Sequence, residues 1–485
     1  MIEDFERCYR AVQSRDLRFD GWFFTGVTTT GIYCRPSCPA ITPKRQNVQF
    51  FATSAAAQHA GFRACRRCRP DAAPGSPEWN QRADVVARAM RLIADGVVDR
   101  EGVHGLARHL GYSERQLNRL LVAEVGAGPL AVARAQRAQQ ARVLAETTDL
   151  PLADIAFASG FASVRQFNET IRQVFATTPG DLRRGSRHGT DPATPGAVRV
   201  RLAYREPLAI DDLLKFLGAR AVPGVESLDG TTYRRTLRLP RGAATVELSP
   251  AAGFVSCVLH LDHLRDLGVA VQRCRRLLDL DADPIAVNTL LSRDQLLRAT
   301  TRARAGLRVP GAVDPHELAF RAVLGQQVSV AGARTLAGRV VASLGESLPA
   351  HGGTDRLFPS ADAIAASALD DIGIPRSRRD AMRRLAVALA TGEIVLDAGA
   401  DRGAARAALE ALPGLGPWTA AYITMRALGD PDVFLPTDLG VRRALEGLGA
   451  DGSPRSAAAT AEAWRPWRSY AVMHLWAMPT RTEEP

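Results

Sequence analysis

No run of apolar residues in this chain approaches the roughly 20 needed to cross a bilayer as a helix, so membrane channels and transporters of the helical kind are set aside. The opening MIEDFERCYR has acids where a secretory signal needs bases followed by an apolar stretch, so a soluble, cytoplasmic protein with reduced thiols is expected. An acidic surplus is also missing: 62 Lys and Arg against 51 Asp and Glu leave a formal net charge of +11. A basic balance of that size favours a polyanionic partner, nucleic acid first, and on charge alone an Arg-rich composition with solvated charge stands evenly beside it. At 485 residues the chain has room for three or more domains with cores of their own.

Cysteine is scarce, seven in the whole chain, yet four of the seven fall in one short basic segment. Cys34 and Cys38 form a Cys-x3-Cys pair, Cys65 and Cys68 a Cys-x2-Cys pair, and 26 residues separate the pairs. That spacing lets four thiolates close a tetrahedral shell around one zinc ion. A disulfide reading lacks the oxidising setting it needs. A purely structural zinc knuckle, stapling a domain too small to be secure alone, is the passive alternative. Cys257 and Cys274 sit in apolar or helical contexts and are expected to be buried thiols.

The words around the first four decide between a passive and a reactive site. FTGVTTTGIYCRPSCPAITPKRQNVQFF followed by AGFRACRRCRPD resembles the N-terminal methyl-acceptor domain of the Ada DNA repair proteins, over about residues 5 to 72. The resemblance implies a zinc methyl-acceptor domain at 1–75, in which Cys34 takes a methyl group from a DNA methylphosphotriester. It also implies backbone contacts from Thr30 and Arg63. Ile41 departs from the family, which usually has Arg there, so one phosphate contact is expected to be missing. The chemistry stands on its own terms, because zinc holds sulfur as thiolate at neutral pH and a thiolate in a crowded anionic shell is a strong nucleophile. Methylation would remove one negative charge beside DNA phosphates and so tighten DNA binding.

Two stretches rich in Pro, Gly and small residues, PDAAPGSPEWN and RRGSRHGTDPATPGA, read as linkers. The helical segment between them contains an internal repeat. LARHLGYSERQLNRLL from Leu106 and IAFASGFASVRQFNETI from Ile155 both read apolar-Ala-x3-Gly and then a second amphipathic helix, the requirement of a tight helix-turn-helix. Ser113, Arg115, Gln116 and Asn118 align with Ser163, Arg165, Gln166 and Asn168 at a constant offset of fifty. Arg, Gln and Asn at the start of a second helix are residue types that reach base edges and phosphates. A helical bundle with a solvated Arg/Gln face is the bland alternative, and the duplication argues against it. The pair, joined through LAVARAQRAQQARVLAETT, resembles the AraC-type DNA-binding domain and assigns 80–187 to it.

From about residue 198 the pattern turns to strands. RLAYREP, TTYRRTLRL, AATVELSP and GFVSCVLHL alternate between turn residues, predicting a small antiparallel sheet with an accompanying helix. Further on, LEALPGLGPWTAAYITMRALG predicts helix, hairpin and helix. Gly414 and Gly416 would let backbone amides at the second helix's N-terminus face a phosphate. Trp418 and Tyr422, four apart on one helix face, would on spacing alone be core. This half resembles the helix-hairpin-helix DNA glycosylases, specifically the AlkA group of 3-methyladenine DNA glycosylases II, from about 198 to 480 through FRAVLGQQVSVAGARTLAGR, the hairpin, PTDLGVRR and RPWRSYAVMHLW.

The resemblance implies an AlkA N-terminal-like subdomain at 198–285 and a glycosylase domain at 286–482. It places the catalytic carboxylate at Asp438, which would stabilise oxocarbenium charge at C1′ and assist water; an Asp after Pro-Thr is otherwise a routine helix N-cap. Trp418, Tyr422 and Trp476 would line the base pocket as a platform for a cationic purine. Gln327, where some relatives have Leu, would fill the vacated stack. Gly414, Gly416 and Thr419 would meet DNA at the hairpin, and the carbonyls of Glu410, Leu412 and Leu415 match a monovalent cation site. Trp418 occupies the place where glycosylase-lyases of the superfamily carry a Schiff-base Lys, so excision without strand cleavage is expected. Ada proteins often continue into a transferase with a Pro-Cys-His-Arg nucleophile, and no such string occurs here.

The expected molecule is therefore multidomain α+β: a small zinc domain, an all-α double helix-turn-helix domain, an antiparallel α+β subdomain and a helical helix-hairpin-helix domain. It would excise alkylated purines from double-stranded DNA as a monofunctional glycosylase, accept methyl groups on Cys34, and activate transcription with RNA polymerase as partner. It is expected to be a nucleoid-associated monomer. Two other readings stand beside this one: a regulator whose C-terminal domain only senses damage, and a constitutive glycosylase tethered by its N-terminal half.

Overall fold

A computed structural model describes residues 4–70, 76–77, 84–148, 150–186 and 197–478. The first linker lies almost wholly outside the described residues, as does 187–196 of the second. Contacts divide the chain into two compact units, one of Met1–Arg205, Leu239–Ala244 and Ala251–Gln272, the other of Glu206–Arg238, Thr245–Pro250 and Arg273–Pro485.

The first unit opens with α1 (Phe5–Gln13), whose N-terminus is capped by the Asp4 carboxylate accepting from the Arg7 amide. A four-stranded sheet follows in the order β3-β1-β2-β4, with β1 Phe24–Val27, β2 Ile32–Cys34, β3 Val48–Phe51 and β4 Arg63–Ala64. Cys8, Ala11, Val12 and Phe23 form its modest core. The short helix α2 (Ser54–His59) leads on to β4.

Among the described residues the next helices are α3 Val85–Ala94, α4 Val97–Leu110, α5 Glu114–Val125, α6 Pro129–Thr147, α7 Leu152–Ala158, α8 Val164–Phe175 and α9 Pro179–Ser186. Leu106, Leu117, Leu121 and Val125 are buried at helical spacing and knit α4 to α5. The predicted second linker therefore begins inside a helix, since α9 runs to Ser186. Strand β5 (Ala197–Ala203) pairs antiparallel with β9 (Phe254–Leu261) over seven residue pairs.

The predicted strands appear as a five-stranded sheet in the order β5-β9-β8-β7-β6, with β6 Glu226–Asp229, β7 Thr232–Leu239 and β8 Gly242–Ala251. Helix α10 (Ile210–Ala219) is the accompanying helix. The sequence reading missed β6 and the hairpin of β10 (Ser347–His351) and β11 (Thr354–Arg356), all short and largely polar.

The remaining helices are α11 Leu267–Leu277, which runs from the first unit into the second, and α12 Pro284–Leu291, α13 Arg298–Ala303, α14 Pro315–Leu324, α15 Val330–Leu344, α16 Ala361–Ala366, α17 Arg376–Ala390, α18 Arg402–Ala411, α19 Pro417–Ala427, α20 Leu439–Gly447, α21 Pro454–Ala461 and α22 Arg468–Trp476 in the second. Two apolar cores meet at α19. Its Ala420 and Ile423 join Phe320, Leu385 and Leu409 on one side, while Ala421 and Met425 join Val441, Leu445 and Leu475 on the other. A helix gripped on two faces is a firm mount for whatever its first turns carry.

Candidate functional site

The parallel pairing of β2 with β4, Ile32 with Arg63 and Tyr33 with Ala64, brings the residues that follow each pair together. Those residues are Cys34 and Cys65. Cys38 returns through a turn in which its amide donates to the Arg35 carbonyl at 3.1 Å. The four sulfurs of Cys34, Cys38, Cys65 and Cys68 all lie within 4.8 Å of one another. A zinc shell with sulfurs at about 2.3 Å from the ion needs them about 3.8 Å apart, so the donor set fits. Hydrogen bonding, with Cys38 above all, pushes the Cys34 thiol up, and hydrogen bonding with Cys34 draws Cys65 down. Four thiolates so close need a cation among them.

Sequence reasoning missed Asp20, which holds the loop between Cys34 and Cys38. Its buried carboxylate accepts from the Ser37 amide at 3.0 Å and the Ser37 hydroxyl at 2.6 Å, and pairs with Arg35 at 3.4 Å. Thr30 and Arg63 are both exposed, and Ile41 stands 94% exposed where an arginine would reach solvent equally well.

Both predicted helix-turn-helix turns are built as expected. Gly111 and Gly160 take φ of +76° and +82°, and Ala107 and Ala156 are buried one turn before them. Ser113 and Ser163 cap α5 and α8 by accepting from the amides of Gln116 and Gln166. Arg115, Gln116, Asn118, Arg165 and Gln166 are exposed and Asn168 half-buried. The two glutamines are not idle: Gln116 Oε1 accepts from Ser113 to close a capping box, and Gln166 Oε1 accepts from the Ala162 amide at 3.1 Å. Within the same unit, Arg66 donates to the Ala176 carbonyl at the end of α8, and Arg69 pairs with Glu146 of α6.

Asp438 is the N-cap of α20, its Oδ1 accepting from the Val441 amide at 2.9 Å. The same oxygen accepts from Trp476 Nε1 at 2.8 Å, while Oδ2 accepts from Trp418 Nε1 at 3.0 Å. Both indoles thus aim at one carboxylate. The rings also meet one another: Trp418 stacks on Tyr422 with centroids 5.2 Å apart, and Trp476 lies 6.2 Å from Tyr422. Two neighbours escaped the sequence reading. Phe216 of α10 stacks on Trp476 at 6.4 Å, and Arg426, one turn beyond Tyr422, donates to its phenol oxygen at 2.7 Å. Burial would raise that phenol, but the guanidiniums of Arg426, Arg220 and Arg321 outweigh it and hold Tyr422 below its ordinary value. The i, i+4 spacing of Trp418 and Tyr422 carried the first contact, and the same spacing one turn on was the unused signal for Arg426.

The hairpin stands between α18 and α19. Gly414 takes φ +97°, and a Cβ there would lie 2.6 Å from that of Ala381, so its glycine is a packing requirement as well as a turn requirement. Gly416, at the N-cap of α19, has open space where a Cβ would stand and no side-chain cap. Thr419 is buried at 3% exposure, and its hydroxyl accepts from Gln326. The Leu412 carbonyl already accepts from the Leu415 amide at 3.0 Å. Gln327 is exposed at φ +56° in the turn before α15, flanked by exposed Val328 and Val330.

The family described as "Metal binding domain of Ada" matches residues 7–71, "Helix-turn-helix domain" matches 106–185, and "AlkA N-terminal domain" matches 199–314. A Mycobacterium tuberculosis protein named "Probable bifunctional transcriptional activator/DNA repair enzyme AlkA" is 55% identical over 479 residues, covering 98% of this chain and 97% of that one. The Escherichia coli protein named "DNA-3-methyladenine glycosylase 2" is 35% identical over 285 residues, 57% of this chain and 95% of its own. A solved 3-methyladenine DNA-glycosylase from Archaeoglobus fulgidus has the fold of the second half, with TM-score 0.51 at 22% identity over 57% of this chain and 96% of that one. The chain belongs to the family of bifunctional transcriptional activator and DNA repair proteins in which an Ada-type metal-binding domain and an AraC-type helix-turn-helix are fused to an AlkA-type glycosylase.

Proposed function

We propose that this protein repairs alkylated DNA by two separate chemistries and reports the damage through its helix-turn-helix pair. In the second unit it hydrolyses the N-glycosidic bond of alkylated purines of the 3-methyladenine type. The observation that carries this reading is the carboxylate of Asp438, clasped by two indole N–H groups and a backbone amide. Oδ1 has both lone pairs engaged, which leaves one on Oδ2 for the reacting centre. As the C1′–N bond breaks, its electron pair leaves on the base; Asp438 stabilises the positive sugar, and water adds at C1′ with its proton passing to the carboxylate. A cationic alkylpurine leaves as a neutral base and needs no strong acid. Trp418, Tyr422 and Trp476 receive it, with Trp418 giving no amine for a Schiff base, so the strand stays whole.

In the first unit, Cys34 accepts a methyl group from a methylphosphotriester. The S–C bond forms as the C–O bond breaks, and the negative charge moves from sulfur to the phosphate oxygen. Cys34, Cys38, Cys65 and Cys68 would hold a zinc ion, which keeps the nucleophile ionised when bound. Thr30 and Arg63 would hold the phosphate backbone, and Arg115, Gln116, Asn118, Arg165, Gln166 and Asn168 would face promoter DNA. Gly414, Gly416 and the amide of Thr419 would grip phosphate, Gln327 would fill the stack, and carbonyls at Glu410, Leu412 and Leu415 would take a monovalent cation. The reading includes the four segments 1–75, 80–187, 198–285 and 286–482, a monomer in the cytoplasm, and RNA polymerase as partner.

The decisive experiment measures free base released from methylated duplex DNA by wild type and Asp438→Asn. A loss of roughly a thousandfold or more in the variant, with abasic strands intact, is expected from removing a charge aimed at the transition state. No release by a wild type that binds DNA would leave the damage-sensing regulator instead.

A further inference from the structure

The turn between α14 and α15 presents Gln327 to solvent, and the residue before it reaches the other way. Gln326 Nε2 donates to the Gly414 carbonyl at 3.0 Å and to Thr419 Oγ1 at 3.0 Å. One amide nitrogen therefore spans the hairpin and the first turn of α19. From the far side, Arg378 of α17 donates to the Gln326 main-chain carbonyl at 2.6 Å. Three residues along the same helix, and so on the same face, Ala381 is the residue against which Gly414 is packed too tightly for a Cβ. The turn and the hairpin are thus tied twice, directly through Gln326 and again through α17. Gln327 itself sits at φ +56°, a conformation that a non-glycine residue holds only where its surroundings fix it.

We propose that Gln326 is a positioning residue for base extrusion: it sets the height of the Gln327 turn against the hairpin, so that grip on the backbone and pressure on the stack are delivered by one rigid body. This rests on the reading of the second unit as a DNA glycosylase. Extrusion has to work against stacking and pairing, and a turn that recoils on its own would lose that force into its own displacement. Thr419, buried at 3% exposure, has its hydroxyl matched to the Gln326 amide, so shortening Gln326 strands a buried hydroxyl as well as freeing the turn. Asp438 itself lies on α20, and the hydrogen bonds of Gln326 go to Gly414 and Thr419, not to it.

The test uses the full chain with Gln326→Leu, which keeps volume and loses both hydrogen bonds, and Arg378→Met, which loosens the same turn from α17. Base release is followed from a duplex carrying one 7-methylguanine opposite cytosine, and from the same duplex with the lesion opposite an abasic site, where the base is already loosely held. Both variants are expected to slow release from the paired duplex by roughly tenfold, the scale of a small misplacement, with release from the loosened duplex within about twofold of wild type. An equal fall on both duplexes, or no fall on either, overturns the positioning role. Should wild type release base from neither duplex, the glycosylase reading itself fails, and the latch role falls with it.

Discussion

At the scale of single residues, the second unit turns on how closely two indoles approach one carboxylate, and that closeness depends on a residue with no side chain. Gly440, two positions after Asp438, would place a Cβ 3.1 Å from Trp476 Cδ1 and 3.2 Å from Asp438 Oδ1. It lies in the first turn of α20 without a positive φ, so alanine suits the backbone there and should improve helix propensity by up to about 1 kcal/mol. Gly440→Ala is therefore expected to leave thermal stability unchanged or slightly higher, while base release falls roughly tenfold or more because the clasp on Asp438 is pushed open. Thermal melting and release rates on the same sample check the two halves; a fall in both together would mean general damage to α20. Asp438, Trp418, Tyr422 and Trp476 were singled out through the resemblance to the AlkA group, whereas spacing alone read Trp418 and Tyr422 as core; the structure brings the four together. Gly440, Gln326 and Asp20 were not singled out, because what each does depends on which distant backbone or ring comes within hydrogen-bonding or contact distance, and a single sequence does not carry that distance.

At the scale of elements, the repeat in the first unit extends further than the recognition helices that revealed it. The offset of fifty that relates Ser113 to Ser163 also relates Gly126 to Ala176, the residues that end α5 and α8, and Pro129 to Pro179, the residues that open α6 and α9. Gly126 and Ala176 both end their helices in the left-handed region, at φ +74° and +51°. Glycine adopts that region freely, whereas an L side chain there crowds the following carbonyl at a cost of roughly 1 kcal/mol. Copying the first repeat into the second by Ala176→Gly should therefore stabilise the first unit by about 0.5 to 1 kcal/mol, read as a rise in its urea or thermal midpoint. The Arg66 contact to the carbonyl of residue 176 uses only backbone and should survive. A fall in midpoint would show that the alanine methyl is held by packing that outweighs its strain. The same logic marks the limit of element prediction: duplicated, strongly amphipathic helices and alternating strands such as β7 and β9 announce themselves, while β6, β10 and β11 are short, partly polar and defined by their partners.

At the scale of the whole molecule, the four sulfurs and the clasped carboxylate fall in different compact units, so their chemistries should respond separately to loss of metal. The zinc segment has little else to hold it: β2 and β4 pair over only two residues, and Cys8, Ala11, Val12 and Phe23 make a small core. Without a cation the four thiols must share protons, which removes the thiolate at Cys34 and loosens the β2–β4 pair together. In the second unit Asp438, Trp418, Trp476 and the hairpin depend on cores that contain no metal-type cluster among the described residues. Stripping the full chain with a chelator at neutral pH is thus expected to abolish methyl transfer to protein while base release stays within about twofold, and adding zinc back should restore the first activity alone. Counting methyl groups bound per chain against bases released per chain, before and after chelation, decides it. Base release that fell in step with methyl acceptance would mean that the metal supports the fold beyond its own unit.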